Sequence, residues 1–502
     1  MRNRVHLIAY ADRCGGDLAR LGALLRGPWS DVFGGVHLLP FFSPYDGADA
    51  GFDPIDHTEV DPRLGTWADV ADLARDHDVV ADVIVNHVSA DSVAFRDVRD
   101  RGDASPWASM FLTMDSIFPD GARESDLVKI YRPRPGLPFT PVSWGDERRL
   151  AWTTFTPQQI DIDVRSEVGR AYLESILDRL AASGVALARL DAVGYAIKTA
   201  GTTCFMTPQT LEFISDFTAA AHERGIEVLV EVHSYYRDQI AIAGLVDWVY
   251  DFALPPLVLH AAYTGDHGPL LEWLSIRPAN AITVLDTHDG IGIVDVGADA
   301  RQAERRGLLD ADQLDALVEG IHGRTGGQSR LATGWAASNV DIYQVNSTFL
   351  DALGGDERTY LAARALQFFV PGIPQVYYVG ALGGRNDMDR LARTGVGRDI
   401  NRHDFSPDEI SAALDRPVVR ALSRLSRLRN ALPAFDGDCR IEPHGSGLCI
   451  TRTSAACRAS LDVDLAAGRA VIRWSDASGE GGIEDLLAEA QAPAARREHA
   501  SA

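Results

Sequence analysis

Apolar runs recur along the chain, beginning near Val5 (VHLIAYA), Gly35 (GVHLLPFF), Val79 (VVADVIVNH), Val185 (VALARLDAV), Ile226 (IEVLVEVH), Val246 (VDWVYDFALP), Ala281 (AITVLDTHD) and Ile373 (IPQVYYVG). Each reads as a buried strand, and between them the spacing changes to that of helices. After Ser166, which suits an N-cap, Val168, Tyr172, Ile176 and Leu180 fall four residues apart, and Gly184 stands near the end. Strand and helix alternating in this way predict an α/β fold, a (β/α)8 TIM barrel with a parallel sheet. Two connections are too long for simple crossovers. One, from His87 to about Arg165, is rich in Pro, Gly and aromatics; the other, from about Gly290 to Phe349, joins a helical LDADQLDALVEGIHG to an irregular ASNVDIYQVNSTF. Beyond about Phe435 short alternating runs replace both patterns and predict a small C-terminal β domain. The expected division is therefore a barrel built from 1–86, 166–290 and 356–435, two inserted subdomains at 87–165 and 291–355, and a terminal domain at 436–502 whose last dozen residues fray.

The ends of the strands carry the chemistry. Side chains alternate along a strand, so Val185, Leu187, Arg189 and Asp191 share a face, and the guanidinium and carboxylate emerge together where that strand stops. Glu231 and Asp289 close two other apolar runs. A lone carboxylate at a strand end is more often a cap or ion-pair partner. Three on strands of one barrel would converge on the face where such barrels hold their active sites. Retaining glycoside chemistry needs an ionised nucleophile and a protonated acid, roughly 5–5.5 Å apart. Asp191, beside Arg189, suits the first role because the neighbouring cation should keep it ionised. Glu231, among valines and near two anions, suits the acid/base, and Asp289 is left to stabilise an oxocarbenium-like transition state or hold sugar hydroxyls. His87, His233 and His288 remain open as barrel residues, sugar ligands or metal ligands. Phe52, Tyr195 and Phe205 are packing residues or platforms for the apolar face of a sugar.

Composition narrows the partners. A formal charge of −23, from 48 basic and 71 acidic residues, argues against nucleic acid and against anionic membranes. The 5 cysteines are scattered without CxxC spacing, so neither a disulfide framework nor a zinc ribbon is expected. The N-terminal apolar stretch, Val5 to Ala9, is too short for a signal peptide, no segment is long enough to span a membrane, and a cytoplasmic location is expected by default.

Four short motifs, DVIVNH at 82–87, ARLDAV at 188–193, EVHS at 231–234 and THD at 287–289, resemble those of the α-amylase superfamily, glycoside hydrolase family 13. Longer stretches, among them LPFFSPYDGADAGFDPIDHTEVDPRLG, IYRPRPGLPFT, FTPQQIDID, FFVPGIPQVYYVGALGG and GRDINRH, are similar to the sucrose phosphorylases within it. This resemblance covers roughly residues 1 to 435. It implies transfer of the glucosyl unit of sucrose to inorganic phosphate, giving α-D-glucose 1-phosphate and fructose, with no cofactor or metal. It implies Asp191 as nucleophile, Glu231 as acid/base and Asp289 as stabiliser. Arg189, His288 and His87 would line the glucosyl subsite, and Asp49 and Arg398 would close its far end; Phe52 and Tyr195 are candidate substrate contacts beside them. Arg134, with Tyr343 and His233, would meet phosphate, while Asp341 and Gln344 lie in a loop that rearranges in such enzymes. Pairing as a homodimer is implied as well.

Other readings keep part of this site. A phosphorylase of glucosylglycerol, glucosylglycerate or sucrose 6′-phosphate would change only the acceptor half, and an α-glucosidase or transglucosidase would act without phosphate. A metal-dependent barrel hydrolase would need an HxH or HExxH element, which the sequence lacks. A non-catalytic sugar-binding barrel would have no use for all three carboxylates.

Overall fold

A computed structural model describes residues 1–132, 136–299, 302, 304–334, 344–477 and 479–491. Its centre is a closed barrel of eight strands, β1 (His6–Ala9), β2 (Gly35–Leu38), β3 (Asp78–Ile84), β4 (Leu187–Asp191), β5 (Glu227–Val230), β6 (Trp248–Asp251), β7 (Ala281–Thr283) and β8 (Ile373–Tyr377). Every strand pairs in parallel with its neighbour in the chain, and β8 closes on β1. These are the strands expected from the apolar runs. Both faces are covered, which is why the runs are apolar almost throughout. Gly35 is required where β2 passes close to β1 and β3: a Cβ there would stand 2.6 Å from His6 Cε1 and 2.7 Å from the carbonyl oxygen of Asp78.

The interior of the barrel is not wholly apolar. Register places Asp82 of β3 beside Arg189 of β4, and His37 of β2 beside Val80. Arg189 Nη1 donates to Asp82 Oδ1 at 2.5 Å, Asp82 Oδ2 lies 3.2 Å from His37 Nε2, and Tyr250 reaches both His37 Nδ1 (3.4 Å) and Gln375 Oε1 (3.3 Å). All five are buried. This polar floor anchors the Arg189 guanidinium from below and fixes the height at which it meets the strand ends.

The helix before β4 spans Glu167–Ala182, and the Ser166 hydroxyl accepts from Gly169 N as its cap. The segment after β3 pairs His87–Ser89 with Gln159–Asp161 and forms a hairpin of Phe139–Trp144 and Glu147–Trp152. It has its own apolar cluster, including Leu112, Phe118, Ile130 and Trp152. Buried Lys198 ties it to the barrel, with Nζ 2.6 Å from both Asn86 Oδ1 and Asp161 Oδ2. After β7, Ile291–Gly292 pairs antiparallel with Gln344–Val345, and a helix spans Ala311–Arg324 between them. The helix Glu357–Phe369 is buried from Thr359 to Phe369 and packs between the barrel and a terminal antiparallel sheet of five strands, Asp438–His444, Gly447–Thr453, Arg458–Asp464, Arg469–Asp476 and Gly479–Ile483. Among the described residues no helix is long and apolar enough to cross a membrane.

Candidate active site

The three strand-end carboxylates do converge. Asp191 is the last residue of β4, and its Oδ1 accepts from Arg189 Nη1 at 3.0 Å. Glu231 follows β5, continuing its ladder through a bond from its amide to the Leu190 carbonyl, and its Oε1 lies 3.9 Å from Arg189 Nη2. One guanidinium thus faces both acids. Asp289, past the end of β7, has its Oδ1 2.8 Å from Arg398 Nη1.

From Arg398 the contacts run on around the site. Its Nη1 is 3.5 Å from Asp49 Oδ1, and its Nη2 donates to Gln344 Oε1 at 3.4 Å. The Gln344 amide lies 3.2 Å from His233 Nε2, which is 3.7 Å from Glu231 Oε1. Asp49, Arg398, Asp289, Gln344, His233, Glu231, Arg189 and Asp191 therefore form a connected polar wall. Asp49 and Ala50 both adopt the left-handed region (φ 52° and 57°), which is strained for side-chain-bearing residues and often found where a loop is held against a site.

Apolar surfaces fill the rest. The Phe52 ring stacks on His288 with centroids 4.9 Å apart and an interplanar angle of 10°, and the Arg189 guanidinium lies 5.6 Å from the Phe52 ring centre. Tyr195 packs against Phe205 (4.7 Å) and Phe155 (5.2 Å), and Phe155 also meets His87 (5.4 Å). His87 braces this surface: its Nε2–H donates to the Phe52 carbonyl at 2.8 Å. Arg134, Asp341 and Tyr343 lie outside the described residues.

Sequence reasoning passed over Asp82, Asp295, Phe155 and Arg402. Arg402 is buried, donates to the His288 carbonyl at 2.9 Å and approaches Asp289 Oδ1 at 3.7 Å. Its signal was a second arginine one turn after Arg398. The signal of Asp82 was an acid inside an otherwise apolar run.

Electrostatics separate the acids. Burial pushes the Asp191 carboxyl well above the usual carboxylate range; Arg189 opposes the rise, while Glu231, Asp82 and Asp289 add to it. Arg189 alone does not offset the burial, since its Nη1 is shared with Asp82. Asp289 goes the other way. Burial raises it, but Arg398, His288, Arg402 and His233 together hold it far below the ordinary range. Burial takes His288 down to about 3 against the pull of Asp289.

Glu231, His233 and Asp289 bring atoms that could bind a cation within 4.8 Å of one another. Asp289 Oδ1 already faces Arg398, and His233 is committed to Asp295 and Gln344, so guanidinium supplies the positive charge in this corner.

The arrangement offers one carboxylate at the end of β4, a second next to a histidine, and a third held ionised by arginines. That is the equipment of a retaining glycosyl transfer. The alpha-amylase catalytic-domain family matches residues 32–242. The chain is 53% identical to a sucrose phosphorylase of Bifidobacterium adolescentis over 97% of its own length and 99% of that protein. It is 57% identical to a sucrose phosphorylase of Agrobacterium vitis, over 95% and 98% respectively. The solved structure of a sucrose 6F-phosphate phosphorylase from Thermoanaerobacter thermosaccharolyticum superposes with a TM-score of 0.89 at 37% identity, covering 96% of this chain and 98% of the other. The chain belongs to the sucrose phosphorylase family, within the alpha-amylase group of barrel enzymes.

Proposed function

We propose that this protein is a sucrose phosphorylase that carries the glucosyl unit of sucrose to inorganic phosphate by two displacements. The observation that carries the reading is the Arg189 guanidinium set between Asp191 and Glu231, at 3.0 and 3.9 Å. Likeness over the full chain to phosphorylases of sucrose selects donor and acceptor.

In the first displacement Asp191 attacks C1 of the glucosyl unit as the bond to the fructosyl oxygen breaks. Glu231 delivers a proton to that oxygen, so fructose leaves neutral. Arg189, shared by both acids, keeps the attacking oxygen in place and offsets the negative charge that appears on Glu231 as its proton leaves. The ionised Asp289 lies where positive charge grows on the ring, and the Phe52–His288 stack and Tyr195 offer flat surfaces to the sugar. Asp49 and Arg398 close the far end, which limits the pocket to one terminal glucose. In the second displacement Glu231, now a carboxylate, takes the proton of hydrogen phosphate as the phosphate oxygen attacks C1 and Asp191 leaves. Two inversions give retention, and the product is α-D-glucose 1-phosphate. Arg134, Tyr343 and Asp341 belong to the acceptor half of this proposal, with His233 and Gln344.

The reading carries with it the division of the chain into a barrel, insertions at 87–165 and 291–355 and a terminal domain from 436. It also carries a cytoplasmic location, where an ionised product cannot leak through a membrane, and pairing as a homodimer.

The test is release of glucose 1-phosphate and free glucose from sucrose, with inorganic phosphate supplied and then omitted. Glucose 1-phosphate should form only with phosphate and exceed free glucose. Glucose alone would mean a hydrolase or transglucosidase. Turnover of glucosylglycerol, glucosylglycerate or sucrose 6′-phosphate in place of sucrose would move the acceptor assignment and leave the glucosyl half standing.

A further inference from the structure

His233 sits in a seat that the proposed chemistry does not by itself explain. Its Nδ1–H donates to Asp295 Oδ2 at 2.8 Å. Asp295 is fully buried in a short turn after Ile291–Gly292. Its other oxygen accepts from the Ser234 amide at 3.2 Å and from Gln239 Nε2 at 3.1 Å. The backbone leaves room for this pair: a Cβ on Gly292 would stand 2.1 Å from Asp295 Oδ2 and 3.2 Å from His233 Nδ1. On its far side the imidazole is stacked on Phe252, centroids 3.8 Å apart and 17° from parallel. The ring can therefore neither flip nor slide, and its Nε2 is left facing Glu231 Oε1 at 3.7 Å.

We propose that Asp295 is a positioning residue: it fixes the His233 ring so that Nε2 faces the acceptor side beside Glu231, giving the site a hydrogen-bond donor for an anionic acceptor that attack by water does not use. This rests on the phosphorolysis reading above. With Nδ1 committed to Asp295, a neutral ring accepts at Nε2, as the Gln344 amide at 3.2 Å allows, whereas a protonated ring donates there. The groups that face the ring decide between these states. Burial disfavours the cation, but Asp295, ahead of Glu231 and Asp289, opposes that, and together they raise His233 above its ordinary value. Phe252 and Gln344 are uncharged, and Arg398 stands behind Gln344. The cation thus persists to higher pH than in an unpartnered imidazole, and wherever it persists a phosphate oxygen beside Glu231 meets N–H rather than a lone pair.

Asp295→Asn keeps shape and an acceptor for Nδ1–H but removes the charge. The KM for phosphate should rise about tenfold, the loss of one charge-assisted bond, while hydrolysis of sucrose without phosphate stays within about twofold. With burial less opposed, His233 loses its proton at lower pH, so the alkaline limb of phosphorolysis should move to lower pH and that of hydrolysis should not. In a His233→Gln background Asp295→Asn should add little, since it acts through the ring. Nitrogen NMR of the unsubstituted protein, which needs neither donor nor variant, should show Nδ1 of His233 protonated throughout and Nε2 alone titrating. Equal loss of both reactions, full loss in the His233→Gln background, or titration at Nδ1 would overturn the proposal. If sucrose is not phosphorolysed but the NMR result holds, the substrate reading has failed and the Asp295–His233 seat stands.

Discussion

Asp191→Ala should lower kcat/KM for sucrose phosphorolysis by about 10⁵-fold, as removal of a nucleophile from residues that act as a unit does. No other group described at the strand ends can replace it: Asp289 is tied to Arg398, and Glu231 stands at the side of the pocket with His233. Stability should not fall with activity. Burial, with the like charges of Glu231, Asp82 and Asp289, pushes its carboxyl up, so its removal relieves that cost and leaves the Arg189 guanidinium with Asp82 and Glu231. A thermal melt should give a Tm equal to or above that of the unsubstituted protein. Residual activity within about 100-fold, in a protein that melts normally, would remove Asp191 from the chemistry.

Glu231→Gln should separate donors by their leaving groups. With sucrose, whose fructosyl oxygen needs a proton, the rate should drop about 10³-fold, within the range of general acid catalysis. With α-glucosyl fluoride, whose leaving group needs little protonation, the loss should stay below about tenfold. The amide preserves size beside Arg189 and His233 but carries no proton to give. Equal losses with both donors would assign Glu231 to binding rather than to proton transfer.

Much of this site was legible because barrel strands announce their own ends. A run such as VALARLD is apolar while it is covered on both faces and turns charged where it reaches solvent or substrate, so Asp191, Glu231 and Asp289 stood out at the boundaries. Asp82 did not, because it lies inside an apolar run and its partner Arg189 is on the next strand, a pairing that only register reveals. The same omission hid the direction of the Asp191 shift: Arg189 looked like a private partner and is a shared one. Asp295 and Arg402 lie in irregular turns whose sequence carries no period, and what makes them important is the ring or carbonyl they meet. His87 was read as a residue of the glucosyl subsite, while its bond to the Phe52 carbonyl, which braces the aromatic platform, follows from the fold of a loop after β2.

The central claim is that the glucosyl unit passes through a covalent bond to Asp191 and leaves on phosphate. The most direct measurement uses the Glu231→Gln protein, loaded with α-glucosyl fluoride without phosphate, quenched in acid, digested and mapped by mass spectrometry. One glucosyl unit should be found on the peptide containing Asp191, and a chase with inorganic phosphate before the quench should remove it as α-D-glucose 1-phosphate. A glucosyl unit on another residue, or an adduct at Asp191 that phosphate does not discharge, would contradict the claim.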